Sequence, residues 1–336
     1  MKNFPRHPDD WYRERLVLPG SRPRIIIDTD AANEIDDQFA LAWALLSPAQ
    51  LQVEAVYAEP FSFAHRRGLL PQAPQDAAPF NPPAVGMERS YQEILHVYDK
   101  LGLPSHGRVF RGSTRYMPSA TQPVHSEAVD HLIATARACH GNEPLYVVAL
   151  GCVTNIASAL LLAPDIVDTI VVVWTSAFPS HAPHVNNSFN LEQDLPASQL
   201  LFDSGVPHVY LPGYHVGAQL RLSLPEVERY VQGRGAMGDY LHHLFTHNPL
   251  WPVLGLNGNE PHSWVIWDII NIAWLINPAW VPSELVRTPR LGADMRWQND
   301  PARHLMREAY AVHRDPIFAD FFAKLGSDHL AIRKAF

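Results

Sequence analysis

The chain reads as an α/β fold with an open, mostly parallel central sheet flanked by helices. Three observations predict it. The runs Arg24–Asp28, Leu145–Leu150 and Thr169–Trp174 are apolar without alternation, as strands buried on both faces of a parallel sheet are. After the first, the apolar residues Phe39, Ala42, Trp43 and Leu46 fall at three- and four-residue steps, the period of a helix. The second and third runs lie one helix length apart, with Gly151-Cys152-Val153-Thr154-Asn155 turning the chain into that helix, which makes a right-handed strand–helix–strand crossover.

Composition bounds the function. With 336 residues, 47% of them hydrophobic, the chain can bury a large core. Its formal charge of −8, without a basic run, excludes a nucleic-acid polymer as partner. Two cysteines, Cys139 and Cys152, build no disulfide framework and point to a reduced, cytoplasmic setting. The first fifteen residues hold charges and two prolines rather than an apolar core, so no signal peptide is expected. No run of eighteen apolar residues suggests a membrane span.

In order, residues 1–22 read as an irregular arm and 23–336 as one domain. Residues 51–57 alternate like a second strand. Five prolines in 69–86 forbid a long helix and leave a loop, either a lid or a disordered excursion. Residues 87–101 and 126–138 regain helical spacing, with a short strand at 109–112 between them. Residues 178–190 form a polar loop carrying Asn186, Asn187 and Asn190, residues suited to turns or to sugar hydroxyls. A strand is expected at 206–211 and a helix over 224–247. The helix ends in His242, His243 and His247, whose spacing fits a solvated helix end better than zinc. From Ser263 an apolar helix is expected, with Asp268 a lone carboxylate inside it.

The chemistry concentrates where the first strand meets its helix. Asp28, Asp30, Asp36 and Asp37 crowd one turn at a strand's C-terminal end, the rim where ligands bind in open α/β sheets. Helix capping accounts for one or two acids, hardly four. A hard divalent cation held by oxygen ligands, with one acid left for catalysis or the substrate hydroxyls, accounts for them better. Asp268 fits the same account, because no Lys or Arg occurs between Arg234 and Arg287 to pair with it.

Taken together, Asp28-Thr29-Asp30 with Asp36-Asp37, Gly151-x-x-Thr-Asn155, Phe189-Asn190 and Trp267-Asp268 resemble the inosine–uridine-type nucleoside hydrolase family, in order over residues 24 to 275. The resemblance implies one Rossmann-like domain, a bound Ca²⁺, hydrolysis of the N-glycosidic bond of ribonucleosides, and a homodimer or homotetramer. By position it implies Asp30 as general base and calcium ligand. Asp37, the Leu150 carbonyl and Asp268 would be further ligands, and Asp36, Asn190 and Asp268 would orient the ribose hydroxyls.

The departures from that pattern carry expectations of their own. Five residues, Ala31 to Ile35, separate Asp30 from the acid pair where the family has three, which leaves Asn33 as a candidate substrate contact. Ser188 replaces an acid before Phe-Asn, so Asn187 or Asn186 is expected at the 5′-hydroxyl. Glu59-Pro60 stands where Asn or Asp is usual. Trp267 replaces the His that pyrimidine-accepting members place before the Asp, and resembles the purine-specific branch, with His262 a possible proton donor to the base. Two alternatives start from the same residues. A haloacid dehalogenase-type phosphatase would use Asp28 and Mg²⁺ but lacks a well-placed lysine among Lys2, Lys100, Lys324 and Lys334. A non-catalytic nucleoside- or sugar-binding protein would keep the fold alone.

Overall fold

A computed structural model describes residues 4–139, 143–256 and 258–327. Eight strands form one sheet in the order β3-β2-β1-β4-β5-β6-β12-β9. They are β1 (Arg24–Thr29), β2 (Gln52–Ala58), β3 (Val109–Arg111), β4 (Leu145–Ala149), β5 (Ile170–Ser176), β6 (His208–Pro212), β9 (Ser283–Arg287) and β12 (Leu305–Ala309). Two small antiparallel ribbons pair β7 (Arg221–Ser223) with β8 (Ser263–Val265) and β10 (Arg290–Leu291) with β11 (Trp297–Gln298). Every pair in the main sheet is parallel except β12 with the edge strand β9.

The chain winds outward from β1 through β2 to β3, then returns to the other side of β1 as β4. That reversal makes a switch point between β1 and β4. Alternation along β1 divides the core: Ile25 and Ile27 join the cluster under helices 36–45, 83–101 and 269–276, and Ile26 joins the opposite one under 127–137 and 154–162.

Several expectations change in detail. The arm is not irregular, because Asp9–Arg15 forms a helix packed on β12, with Tyr12 buried and bonded to the Gly205 carbonyl (2.7 Å). Helix 36–45 is buried on every side rather than on one face, since helices 83–101, 269–276 and 314–325 cover it. The proline-rich loop is shorter at its C-terminal end, because Pro83 starts the next helix, where its missing N–H costs nothing. Helix 224–247 is two helices, Leu224–Tyr230 and Gly235–Thr246, parted at Gly233 and Gly235 with positive φ. The late block is strand β8 and then helix Ile269–Ile276, so Asp268 is the N-cap and not an interior residue. Among the described residues, no helix is long and apolar enough to cross a membrane.

Candidate active site

The parallel strands all end at the same rim, so the residues just past them converge. Asp30 follows β1, Leu150 follows β4, Thr175 and Ser176 end β5, and Gly213 and Tyr214 follow β6. All of them line one cavity of about 170 Å³, together with Asn33, Glu34, Asp36, Asp37, Asn190, Trp267 and Asp268. The N-termini of helices 36–45 and 269–276 also meet there, and their dipoles favour negative charge. Neither helix uses these acids to cap itself: its N-cap residue, Ile35 or Asp268, makes no side-chain capping bond.

Asp36, Asp37 and Asp268 bring one carboxylate oxygen each within 4.8 Å of the others, and all three are buried. Asp30 stands beside them, also buried, and accepts from the Asn33 amide (3.1 Å). Burial first, then the charge of Asp37, pushes Asp30 well above the usual carboxylate range. Asp36 and Asp268 are raised the same way, by burial and then by their acidic neighbours. Asp37 rises to about 6 by burial, held back by the Thr29 hydroxyl that donates to it. A set of buried hard oxygens that repel one another fits a divalent cation.

A supporting layer lies underneath. Asn155 donates to Asp28 (2.8 Å) and accepts from the Ser113 N–H (2.8 Å), which gives the Thr-Asn turn a structural task. Asp28 rises to about 7 through burial, and Glu59 lies well above its ordinary range, through burial and then the Asp28 charge. Gly151 makes room for this layer: a Cβ there would meet Glu59 Oε2 at 2.5 Å and Asp30 Cγ at 2.6 Å.

The cavity thus gathers Asp30, Asn33, Asp36, Asp37, Leu150, Asn190, Trp267 and Asp268 from four distant parts of the sequence. Asn33 carries a buried carbonyl oxygen without a partner among the described residues. Asn190 donates to the Leu150 carbonyl (2.6 Å), so two residues expected to act separately are joined. Trp267 is half-buried in the cavity wall, edge to face with Tyr214 at 6.1 Å. Asn187 is exposed and outside the cavity, its carbonyl accepting from Arg66 (2.7 Å), and Asn186 is tied to Phe178 and Met295. His262 is exposed and lines a different hollow, beside Leu224 and Trp251.

Six cavity residues escaped the sequence reading: Glu34, Arg66, Thr175, Ser176, Gly213 and Tyr214. Glu34, inside the long Ala31–Ile35 connector, accepts from the Trp264 indole N–H and rises to about 7 through burial. An acid in that connector was a visible signal. Arg66 sits in a short 3-10 helix (Ala64–Leu69) and Tyr214 in a turn, neither with a local pattern, and only the fold brings them in.

The family model described as inosine-uridine preferring nucleoside hydrolase matches residues 25–313. A probable uridine nucleosidase 2 of Arabidopsis thaliana is 26% identical over 230 residues, 66% of this chain and 68% of that protein. A pyrimidine-specific ribonucleoside hydrolase of Escherichia coli is 28% identical over 177 residues, 52% of this chain and 54% of that one. Among solved structures, a purine-preferring ribonucleoside hydrolase from Gardnerella vaginalis superposes with a TM-score of 0.69 at 19% identity, covering 93% of this chain and 100% of its own. An inosine-uridine preferring nucleoside hydrolase from Bacillus anthracis gives 0.61 at 16%, covering 90% and 99%. At these identities the two structures speak for the fold.

Proposed function

The chain belongs to the inosine-uridine preferring nucleoside hydrolase family, which makes it an N-glycosyl hydrolase of ribonucleosides, and from that premise we propose that it cleaves purine ribonucleosides to base and ribose with calcium bound. Asp30, Asp37, Asp268 and the Leu150 carbonyl would hold the ion. Once bound, the ion supplies positive charge that favours hydroxide over water and engages a cis-diol. Asp30 takes the proton of the attacking water. Asp36, Asp268 and Asn190 orient the ribose hydroxyls, and Asn33, whose oxygen has no partner among the described residues, accepts from a further hydroxyl. Asn187 acts at one remove, through its grip on Arg66.

One observation carries the purine preference: Trp267 stands half-buried in the cavity wall next to Asp268, not in the core. An indole N–H is too weak an acid to protonate a leaving base, but its face stacks on a purine, an interaction worth about 1–3 kcal/mol per base in nucleic-acid sites. The test compares kcat/KM for inosine and uridine in wild type and in Trp267→Ala. Inosine should be the faster substrate, and the variant should lose that advantage. Equal rates in wild type, or an unchanged preference in the variant, would end the stacking role.

A further inference from the structure

We propose that Arg66 stabilises the departing base, its guanidinium donating to the negative charge that builds up as the C1′–N9 bond breaks, and so biases the cavity toward 6-oxopurines. This rests on the purine reading above. The need arises because Trp267 cannot donate a proton usefully and His262 faces another hollow. When the glycosidic bond breaks, its electron pair stays on the base, so a proton or a positive charge must meet it.

Among the described residues lining the cavity, Arg66 is the one cation, set against the acids Asp30, Glu34, Asp36, Asp37 and Asp268. Its guanidinium sits 5.3 Å from the Phe189 ring centroid. Burial raises the pKa of both Glu34 and Tyr214, and the Arg66 charge opposes that rise in each, which puts it within electrostatic reach of both. Tyr214 in turn packs on Trp267.

The group is also held in place. Its Nε donates to Glu192, which His65 shares (2.8 Å), and its Nη2 donates to the Asn187 carbonyl (2.7 Å). A guanidinium has five N–H groups, so these two bonds orient it and leave others for a ligand. Fixed donors aimed at developing charge need no reorganisation during the reaction. Arginine stays charged, and its planar fork matches the O6 and N7 acceptors of hypoxanthine or guanine, whereas adenine presents an amino donor at position 6.

The step balances without another reagent. The water oxygen bonds to C1′ and its proton passes to Asp30. The base leaves with the C1′–N9 electron pair, as an anion paired with Arg66, and takes a proton from solvent afterwards.

The test measures kcat on inosine, adenosine and p-nitrophenyl riboside, whose phenolate departs without help, in wild type, Arg66→Met and Arg66→Lys. Arg66→Met should lose about 10²–10³ in kcat on inosine, lose the inosine-over-adenosine preference, and leave the p-nitrophenyl reaction nearly unchanged. Arg66→Lys should recover part of the inosine rate but not the preference, since an ammonium lacks the fork. Equal loss on all three substrates would show that Arg66 merely anchors its loop and would overturn the proposal, as would no loss on inosine. A wild type faster on uridine than on inosine would sink the purine reading and the 6-oxopurine bias with it, but not the leaving-group role of Arg66. Arg66 would then be judged on uridine against p-nitrophenyl riboside, by the same contrast.

Discussion

At the scale of single residues, the cavity depends on acids that only a ligand or proton can reconcile. Removing one should release the proposed calcium. In Asp37→Ala, bound calcium measured by elemental analysis should vanish together with activity, and full occupancy in that variant would remove Asp37 from the ligand set. Gly151 is as sensitive for a steric reason. In Gly151→Ala the new methyl must displace the Asp30 or Glu59 carboxyl, both now closer than any Cβ tolerates. If Asp30 is the general base as proposed, displacing it by a fraction of an ångström to an ångström costs about 10²-fold in rate. The variant should therefore fold, keep its thermal midpoint within a few degrees, and lose about two orders of magnitude in kcat. Full activity would mean that Asp30 does not need its present position.

At the scale of elements, the connector between β1 and helix 36–45 decides the shape of the cavity mouth. It turns through Ala32, whose φ of 77° lies in the left-handed region that an L side chain enters at a cost. The turn is closed by the Asn33 N–H bonding to the Asp30 carbonyl (2.9 Å) and by Arg89 donating to the Ala32 carbonyl (3.2 Å). Ala32→Gly should be tolerated or slightly stabilising, whereas Ala32→Val, β-branched at positive φ, should lose about 2 kcal/mol by urea denaturation. If valine costs nothing, the turn is not held as described. The proline-rich segment is tied to the rest of the fold: Gln72 donates to the Val253 carbonyl (3.3 Å), and the Pro79 carbonyl accepts from the Phe63 N–H (2.8 Å).

At the scale of the whole molecule, the sheet is joined to the N-terminal helix through His208, which is buried, and His304, which is half-buried. His208 on β6 lies among Trp174, Phe202 and Tyr210, with neither ring nitrogen bonded among the described residues. His304, just before β12, stacks on Tyr12. Burial lowers both to about 3, with each other's neighbourhood adding to it: His304 acts on His208, and Arg303 and Arg287 act on His304. In the fold they stay neutral, while the unfolded chain protonates them below about pH 6.5. The unfolded state therefore binds more protons between about pH 6.5 and 3, and stability should fall as pH drops through that window, by about 1.4 kcal/mol per pH unit for each histidine. Urea midpoints at pH 7 and pH 5, with calcium in excess, should show the fall, and His208→Phe should reduce it. An unchanged pH dependence in that variant would exclude His208 as its source.

How much of this the sequence determined follows from the range of the interactions involved. Strands β1, β4 and β5 and the helices after β1 and β4 were legible because period and turn chemistry are local properties of the chain. Asp30, Asp36 and Asp37 were legible too, since several charges beside a buried strand have few explanations, and Asp268 stood out as a carboxylate without a basic neighbour. The break between the two helices at Gly233 and Gly235, the N-cap position of Asp268, and β9, β10, β11 and β12 were not, because pairing with distant strands overrides weak local preference. Arg66 reaches the cavity from a short 3-10 helix and Tyr214 from a turn, neither with a pattern of its own, and His262 and Asn187 stay out of it despite their place in sequence. Proximity in the chain fixes which residues are neighbours along a turn. Which side chains share a cavity depends on where separate strands end in the sheet, and only the tertiary structure decides that.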